Sequence, residues 1–356
     1  MHRVIKNSPA PAVLRPALIA AFLLSAIIQF SPRAFAGLAF DQLNAAAPQV
    51  EVPLAPPPQN ATEYRAAPGL NVYFVNVGQG DSEYIELPDG KNALIDGGPS
   101  SSASSGLARF LKEKNVTHID DVVLTHPHAD HFSGLLYVFS HGIKVDNFYD
   151  TRADNTGSTM DDKLRSEVSA QGVNTHYPVA GGTMDWGVPG VDIKVFNACS
   201  DPVSASDGAT LNNCSIVFKL SYDGASILFM GDAQADVENA IIQKYGPELK
   251  ADVLKVGHHG SKYSSTVPFL QDVSPQRAYI EVGQNNYGHP SQQAISNLQS
   301  VGAQVFRTDQ DGTQEITDNG SGIQPVSYRA LLPEFSTADA TVDNTPDGGP
   351  EGPNDD

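Results

Sequence analysis

The sequence has few basic residues, few cysteines and few long apolar runs, and each shortage argues against a class of protein. Its 22 lysines and arginines stand against 41 aspartates and glutamates, which gives a formal net charge of −19. Because no basic stripe is present to displace counterions, broad electrostatic capture of nucleic acid is disfavoured. Two cysteines without a C-x-x-C spacing argue against a thiolate metal site. With 40% apolar and 18% charged residues, the chain can still build a sizeable core.

The two cysteines, Cys199 and Cys214, are close enough in the sequence to close a short loop. In an oxidising compartment they would form a disulfide that contributes about 3 kcal/mol in the chain-entropy model. The alternative is a pair of free thiols at a strand end and inside a strand. We favour the disulfide.

One apolar run, residues 17–30, lies near the N-terminus and is short for a membrane span. It follows Arg3, Lys6 and Arg15 and precedes Ala34-Phe35-Ala36, an A-x-A-like cleavage site. Residues 1–36 are therefore predicted to be a signal peptide, with an uncleaved membrane anchor as the alternative. The mature protein would be periplasmic or extracellular, without a transmembrane domain. Because the leader contains four basic and no acidic residues, its removal moves the formal charge from −19 to −23.

Two further segments have compositions unsuited to a packed core. Residues 37–68 are rich in alanine and proline, which is typical of an extended linker. Residues 331–356 contain seven acidic residues and no basic one, which is typical of a disordered tail. Residues 69–330 remain as a single folded domain.

Within that domain, the hydrophobic pattern alternates between short strands and helices in two similar halves. Strands are predicted at 71–77, 82–87, 92–96, 120–124, 191–196, 215–221, 226–230, 252–256, 277–281 and 303–306. Helices are predicted at 106–114, after His131, at 234–244 and at 290–300. Two halves that each place strands before helices predict an α/β sandwich of two sheets with helices outside.

The strongest chemical signal is Thr125-His126-Pro127-His128-Ala129-Asp130-His131, directly after the predicted strand 120–124. Three imidazoles and a carboxylate in six residues supply the ligands that zinc, manganese or iron take in proteins. On a loop between a strand and a helix, the spacing lets His126 and His128 face one metal and Asp130 and His131 another.

This H-x-H-x-D-H motif resembles the signature of the metallo-β-lactamase superfamily. Other stretches resemble its further motifs in the same order, namely Ala93–Gly98 with Asp96, Leu228–Asp232, and Val253–Ser261. The resemblance implies an αββα four-layer sandwich that binds two divalent metal ions, zinc or manganese. It also implies that Asp96 supports the histidine loop and that Asp232 bridges the two metals.

Finer details resemble the soluble domain of ComEC-type DNA-uptake proteins, and exported choline-phosphate esterases share much of the pattern. The matching stretches are Phe74–Ser82 (FVNVGQGDS), His258–Ser265 (HHGSKYSS) and Asn286–Pro290 (NYGHP). The polytopic membrane region of ComEC proteins is absent here. The superfamily's middle histidine is also not evident, since Asn212-Asn213-Cys214-Ser215 stands where it is expected and His176 precedes that stretch.

The resemblance implies a role for each site residue. His126 and His128 would hold one metal, and Asp130, His131 and either His258 or His259 the other. We favour His258 as the ligand, because it comes directly off the predicted strand, and leave His259 to orient the substrate or act as an acid. Asp130 would orient the attacking hydroxide. Three further residues would support the site or contact the substrate, namely Asp81, Ser261 and His289.

The predicted function is therefore an exported binuclear phosphodiesterase that acts on nucleic acid or on a phosphodiester of the cell envelope. The negative charge disfavours nucleic acid. Hydrolysis of a lactone, lactam or thioester at the same metals is an alternative, and a non-catalytic exported metal-binding protein is a second one. The sequence indicates no oligomeric state.

Overall fold

The computed structural model describes residues 69–320, 322–326 and 328. The predicted signal peptide, linker and acidic tail lie outside these described residues. Within them no helix combines the length and the apolar character that crossing a membrane requires.

The strands are short and follow one another closely along the chain. In chain order they are β1 (Leu70–Phe74), β2 (Glu83–Glu86), β3 (Asn92–Ile95), β4 (His118–Val123), β5 (Lys144–Tyr149), β6 (Ala153–Asn155), β7 (Asn174–His176), β8 (Val191–Asn197), β9 (Val203–Ala205), β10 (Val217–Tyr222), β11 (Ala225–Phe229), β12 (Val253–Lys255), β13 (Arg277–Ile280), β14 (Gln304–Arg307), β15 (Gln314–Asp318) and β16 (Gln324–Val326).

The helices lie between these strands. They are α1 (Gly106–Glu113), α2 (Ala129–Ser140), α3 (Met160–Ala170), α4 (Gly208–Asn213), α5 (Ala235–Tyr245), α6 (Val267–Val273), α7 (Gln292–Ser300) and α8 (Thr308–Asp311), with 3₁₀ turns at Gly246–Leu249 and Gly257–Gly260. Helix α2 begins earlier than the sequence pattern predicted, so that Asp130 and His131 lie in its first turn instead of before it. The segment β5–β7, with α3, was not predicted.

Two large sheets carry the fold. The first has the order β16-β15-β1-β2-β3-β4-β5-β7, and the second has the order β14-β13-β12-β11-β10-β8. Strands β3, β4, β5 and β7 run parallel to one another, as do β11, β12, β13 and β14. The carboxyl ends of each parallel set therefore meet at one edge of their sheet, where the loops can assemble a site.

Three apolar cores separate the layers. The central one joins the facing sides of the two sheets, and Phe74 of β1 stacks on Tyr279 of β13 with ring centroids 4.2 Å apart. A second core packs the outer side of the first sheet against α1, α2 and α3, and a third packs the second sheet against α5, α6 and α7. Strand β1 shows how the sequence encodes this, because Val72 and Phe74 enter the central core and Tyr73 the outer one. The predicted αββα four-layer sandwich is confirmed.

The predicted disulfide is confirmed as well. Cys199 and Cys214 are bonded, with their Cα atoms 5.0 Å apart. The bond ties the segment after β8 to the end of α4, two residues after Asn212.

Candidate metal centre

The two sheets bring their strand-end loops together around one carboxylate, that of Asp232. Asp130 and His131 come from the first turn of α2 after β4, Asp232 follows β11, and His259 follows β12. One oxygen or nitrogen from each of these four residues lies within 4.8 Å of the others. Asp232 Oδ2 is 3.3 Å from His131 Nε2 and 3.5 Å from His259 Nε2, and Asp130 Oδ2 is 3.2 Å from His259 Nε2. We call these residues the tight donor group.

His126 and His128 lie near the same aspartate and form a second donor group. His126 Nε2 is 3.0 Å from His128 Nδ1 and 3.8 Å from Asp232 Oδ2. His258 Nε2 is also 3.8 Å from Asp232 Oδ2, and it is 3.4 Å from Asn212 Nδ2. Asn212 therefore stands beside this second group, in the stretch where the sequence offered no middle histidine.

The structure distinguishes the adjacent histidines of the His258-His259 pair. His259 belongs to the tight donor group with Asp130 and His131, whereas His258 Nε2 lies beside Asn212 Nδ2. The sequence argument favoured His258 as the partner of Asp130 because it lies closer to the strand. Both histidines have positive φ (51°) in the 3₁₀ turn, and the donor distances favour His259 over the predicted His258 as the partner of Asp130.

Asp96 supports the histidine loop from behind. Its Oδ1 accepts a hydrogen bond from Thr125 N at 2.9 Å, and its Oδ2 accepts one from Thr125 Oγ1 at 2.6 Å. The same Oδ2 is 2.8 Å from His131 Nδ1, which leaves His131 Nε2 facing Asp232. The next residue, Gly97, must be a glycine, because α2 passes so close that a Cβ there would overlap the backbone of Gly134 and Leu135. The Asp96 carboxylate thus fixes the orientation of the His131 ring, in the way that carboxylates orient metal-binding histidines in other proteins.

His259 is held from behind by the backbone oxygen of Glu281, with the Asp81 carboxylate next to it. Asp81 Oδ1 is 3.1 Å from His259 Nδ1, and the backbone oxygen of Glu281 lies 2.9 Å from the same nitrogen. Behind Asp81, the fully buried ammonium of Lys255 lies 2.5 Å from Asp81 Oδ2 and 3.9 Å from Glu281 Oε2. Glu83 completes this buried cluster of charges.

Sequence reasoning missed Lys255, Glu83 and Glu281. The signal for Lys255 was a lone lysine in an otherwise apolar strand run, three residues before His258. The two glutamates carried no comparable signal, because each lies in an ordinary short strand or at its end.

The remaining predicted residues lie at the rim or in the turn. Ser261 is buried, donates its backbone N–H to His258 O and accepts from Tyr263 N, so its hydrogen bonds stabilise the turn that carries the two histidines. The His289 ring lies 5.2 Å from that of His258 and 6.3 Å from that of His259. His176 is exposed at the end of β7, as expected of a surface strand residue.

The imidazoles differ in their electrostatics. Burial and the nearby His131 lower the pKa of His126 well below its ordinary value. Burial opposes charge on His131 and His259 too, but Asp232 and the other carboxylates raise the pKa of both well above the ordinary value. The same imidazoles hold the pKa of Asp232 well below its usual range in spite of burial. The carboxylates of the tight donor group thus stabilise positive charge on its imidazoles.

The donor atoms fit a divalent cation. His131 Nε2, His259 Nε2 and Asp232 Oδ1 are buried and make no hydrogen bond of acceptable geometry, although the first two lie near Asp232 Oδ2. Leaving buried polar atoms without partners costs free energy. Imidazole nitrogens and carboxylate oxygens grouped in this way are the ligands of zinc, manganese and iron sites.

Comparison with known proteins agrees with this architecture. The family model described as the metallo-beta-lactamase superfamily matches residues 75–280. ComE operon protein 3 of Bacillus subtilis (strain 168) is 30% identical over 290 residues, which cover 77% of this chain and 36% of that protein. Competence protein ComA of Neisseria gonorrhoeae is 27% identical over 257 residues, which cover 71% of this chain and 33% of that protein. The chain thus spans about a third of the length of these relatives.

A solved structure with a similar fold is that of the metallo-beta-lactamase fold protein YhfI from Bacillus subtilis. It has a TM-score of 0.44 and 12% identity, and the match covers 69% of this chain and 99% of YhfI.

Proposed function

The chain belongs to the metallo-β-lactamase superfamily, whose members are metal-dependent hydrolases, and we propose that it is an exported binuclear phosphodiesterase. The observation that carries the proposal is the position of Asp232. Its Oδ2 lies 3.3 to 3.8 Å from one nitrogen each of His131, His259, His126 and His258. This grouping of four imidazoles around one carboxylate oxygen supports the proposal that Asp232 would bind both of two cations.

The residues divide into two sets for the two ions. One ion would be held by Asp130, His131 and His259. The other ion would be held by His126 and His128, and Asp232 would bind both ions. When bound, two divalent ions would supply a clamp for the attacking and leaving oxygens and would lower the pKa of a water between them. Zinc and manganese both suit these ligands.

The chain's own residues orient and shield the reacting groups. Asp130 is the most accessible of the donor carboxylates, with 31% of its side chain exposed against 3% for Asp232. It is therefore placed to accept a hydrogen bond from the attacking water and to orient it. Asp96 Oδ2 and the backbone oxygen of Glu281 each hold the rear nitrogen of one imidazole, so that His131 and His259 keep fixed orientations during turnover. His289 lies at the rim, where it can contact a substrate oxygen.

Two observations support export. The sequence of residues 1–36 has the features of a signal peptide. The structure contains the Cys199–Cys214 disulfide. Disulfides persist in oxidising compartments and are rare in reducing ones. The proposed location is therefore the periplasm or the extracellular space, with a phosphodiester of nucleic acid or of the cell envelope as substrate.

The test compares the full chain with Asp232→Ala, loaded with zinc or manganese, on bis(p-nitrophenyl) phosphate. Asp236→Ala is the matched control, because Asp236 is an exposed aspartate in the first turn of α5. Metal bound per chain is measured alongside the rate. We expect the wild type and Asp236→Ala to turn over with bound metal, and Asp232→Ala to lose both metal and activity. A metal-loaded wild type without turnover would refute the phosphodiesterase, and lactone or lactam substrates would be tried next.

A further inference from the structure

A cleft of about 490 Å³ lies at the edge of the first sheet where β5 and β7 end. Tyr149, Arg152, His176 and Tyr177 line it, and Asp185 is the acidic residue of its lining. The metal-centre residues do not contribute to this lining, so the cleft is a separate feature of the surface.

Arg152 is the unusual residue of the cleft. Its guanidinium carbon lies 4.5 Å from the centroid of the Tyr177 ring, and its side chain makes no hydrogen bond or ion pair with the described residues. Arg165 nearby is the opposite case, because it binds Asp150, Asp161 and the backbone oxygen of Ala153. In a chain with an excess of 19 negative charges, a cation without an acidic partner is available for an anionic ligand.

Aromatic rings supply the second element of the cleft. The Tyr177 side chain is 46% exposed and presents its ring at the surface. The His176 ring stacks on the buried Tyr149 with centroids 4.9 Å apart, and His176 Nε2 lies 3.1 Å from Asn147 Oδ1, which fixes the ring. Exposed rings beside a guanidinium form a surface on which a flat, negatively charged molecule can stack and pair.

The chain itself connects the cleft to the metal centre. Asn155 lies three residues after Arg152, and its Nδ2 donates to the backbone oxygen of Pro127, between His126 and His128. Three residues span at most about 10 Å, so Arg152 lies close to the loop that carries His126 and His128. Leu124 N also donates to Tyr149 O, which aligns the end of β5 with the strand that leads into the histidine loop.

We propose that this cleft binds one nucleotide of a single-stranded nucleic acid whose phosphodiester is cleaved at the metal centre. Arg152 pairs with a backbone phosphate, and the rings of Tyr177 and His176 stack with the base. The inference rests on the proposed phosphodiesterase and selects between its two substrate classes. A choline headgroup would bring a positive charge next to Arg152 and is therefore disfavoured, while a nucleotide matches both the cation and the rings.

The test measures binding separately from hydrolysis. A fluorescein-labelled oligothymidylate of about six nucleotides is titrated with the full chain at about 50 to 200 mM salt, and anisotropy gives the affinity. For Arg152→Gln we expect weaker binding and a slope of log affinity against log salt that is smaller by about 0.7, as for one lost phosphate contact with a single strand. Lys144→Gln is the control, because Lys144 is an exposed cation at the other end of β5, and both its affinity and its slope should equal those of the wild type.

The rings are tested in the same assay. Tyr177→Ala should weaken binding roughly 5- to 100-fold without changing the salt slope, because stacking does not release counterions. Tyr177→Phe keeps the ring and should bind like the wild type. Thymidine monophosphate should displace the oligonucleotide, and phosphocholine should not.

Three results would overturn the nucleotide cleft: no binding by the wild type, equal slopes for Arg152→Gln and Lys144→Gln, or displacement by phosphocholine alone. Hydrolysis of bis(p-nitrophenyl) phosphate reports on the metal centre independently. Loss of that hydrolysis in the wild type would refute the phosphodiesterase, whereas hydrolysis without oligonucleotide binding would refute the cleft alone.

Discussion

Replacing Lys255 by methionine removes the ammonium of the buried charge cluster behind the metal centre and keeps most of the side-chain stem. Lys255 Nζ lies 2.5 Å from Asp81 Oδ2, and both side chains are essentially inaccessible to solvent. Removing one partner of a buried ion pair leaves the other charge without compensation, which typically costs about 3 to 5 kcal/mol. We expect Lys255→Met to lose stability of this size at about pH 8.

The loss of stability in Lys255→Met should depend on pH, and the pKa of Glu83 determines whether it grows or shrinks as pH rises. Burial raises the pKa of Glu83 to about 8 even though Lys255 acts to lower it. Without Lys255 this pKa rises further. A carboxyl whose pKa is raised by folding stabilises the fold fully below its unfolded pKa, and that stability is lost as pH rises through the folded value. The difference between wild type and Lys255→Met should therefore be smaller at about pH 5 than at about pH 8.

The assay is urea unfolding of the metal-free full chain at both pH values. Lys194→Met is the matched control, because Lys194 pairs with Glu248 at the surface, where 55% of the glutamate side chain is exposed. An exposed pair contributes less than about 1 kcal/mol. The reasoning would be refuted if Lys255→Met lost no more stability than Lys194→Met, or if its loss were largest at the lower pH.

Three further changes test other parts of the structure. Burial raises the pKa of Asp121 to about 7, so the wild type should lose roughly 3 kcal/mol of unfolding free energy relative to Asp121→Asn as pH rises from about 4 to about 7. A difference that is constant with pH in urea titrations would contradict this. The double substitution Cys199→Ser and Cys214→Ser should cost about 3 kcal/mol, as reduction of the wild type should, because the disulfide spans 15 residues. Unchanged unfolding midpoints would count against it. Gly97→Ala should cost at least about 2 kcal/mol, since its Cβ would overlap the backbone of α2. An unaltered melting temperature would show that the helix can move away.

Much of the fold could be predicted because its signals are local. Strands β1 to β4 and β10 to β13 are short apolar runs bounded by turn residues, and the two halves repeat the same order of elements. The segment from β5 to β7 was missed because its strands are short or partly exposed: β7 is exposed at all three positions, and β5 at two of its six. Such strands are held in the sheet by backbone hydrogen bonds, β5 with β4 and β7 with β5, and these partners are distant in the sequence.

The histidine motif could be identified from its dense supply of ligands, and Asp232 from the resemblance of its stretch to a superfamily motif. The support of His259 could not. Asp81 and Lys255 are 174 residues apart and meet only when β12 packs in the second sheet opposite the loop after β1. The choice between His258 and His259 likewise needed the distances to Asp130 and Asn212, which lie on other elements.

The layers and the supply of donor atoms thus follow from local sequence, because burial patterns and motif spacing are properties of neighbouring residues. Long-range packing sets which donors face one another, which buried lysine compensates the carboxylates behind them, and that Arg152 has no acidic partner among the described residues. Those outcomes depend on the packing of two sheets whose contributing residues are far apart in the chain.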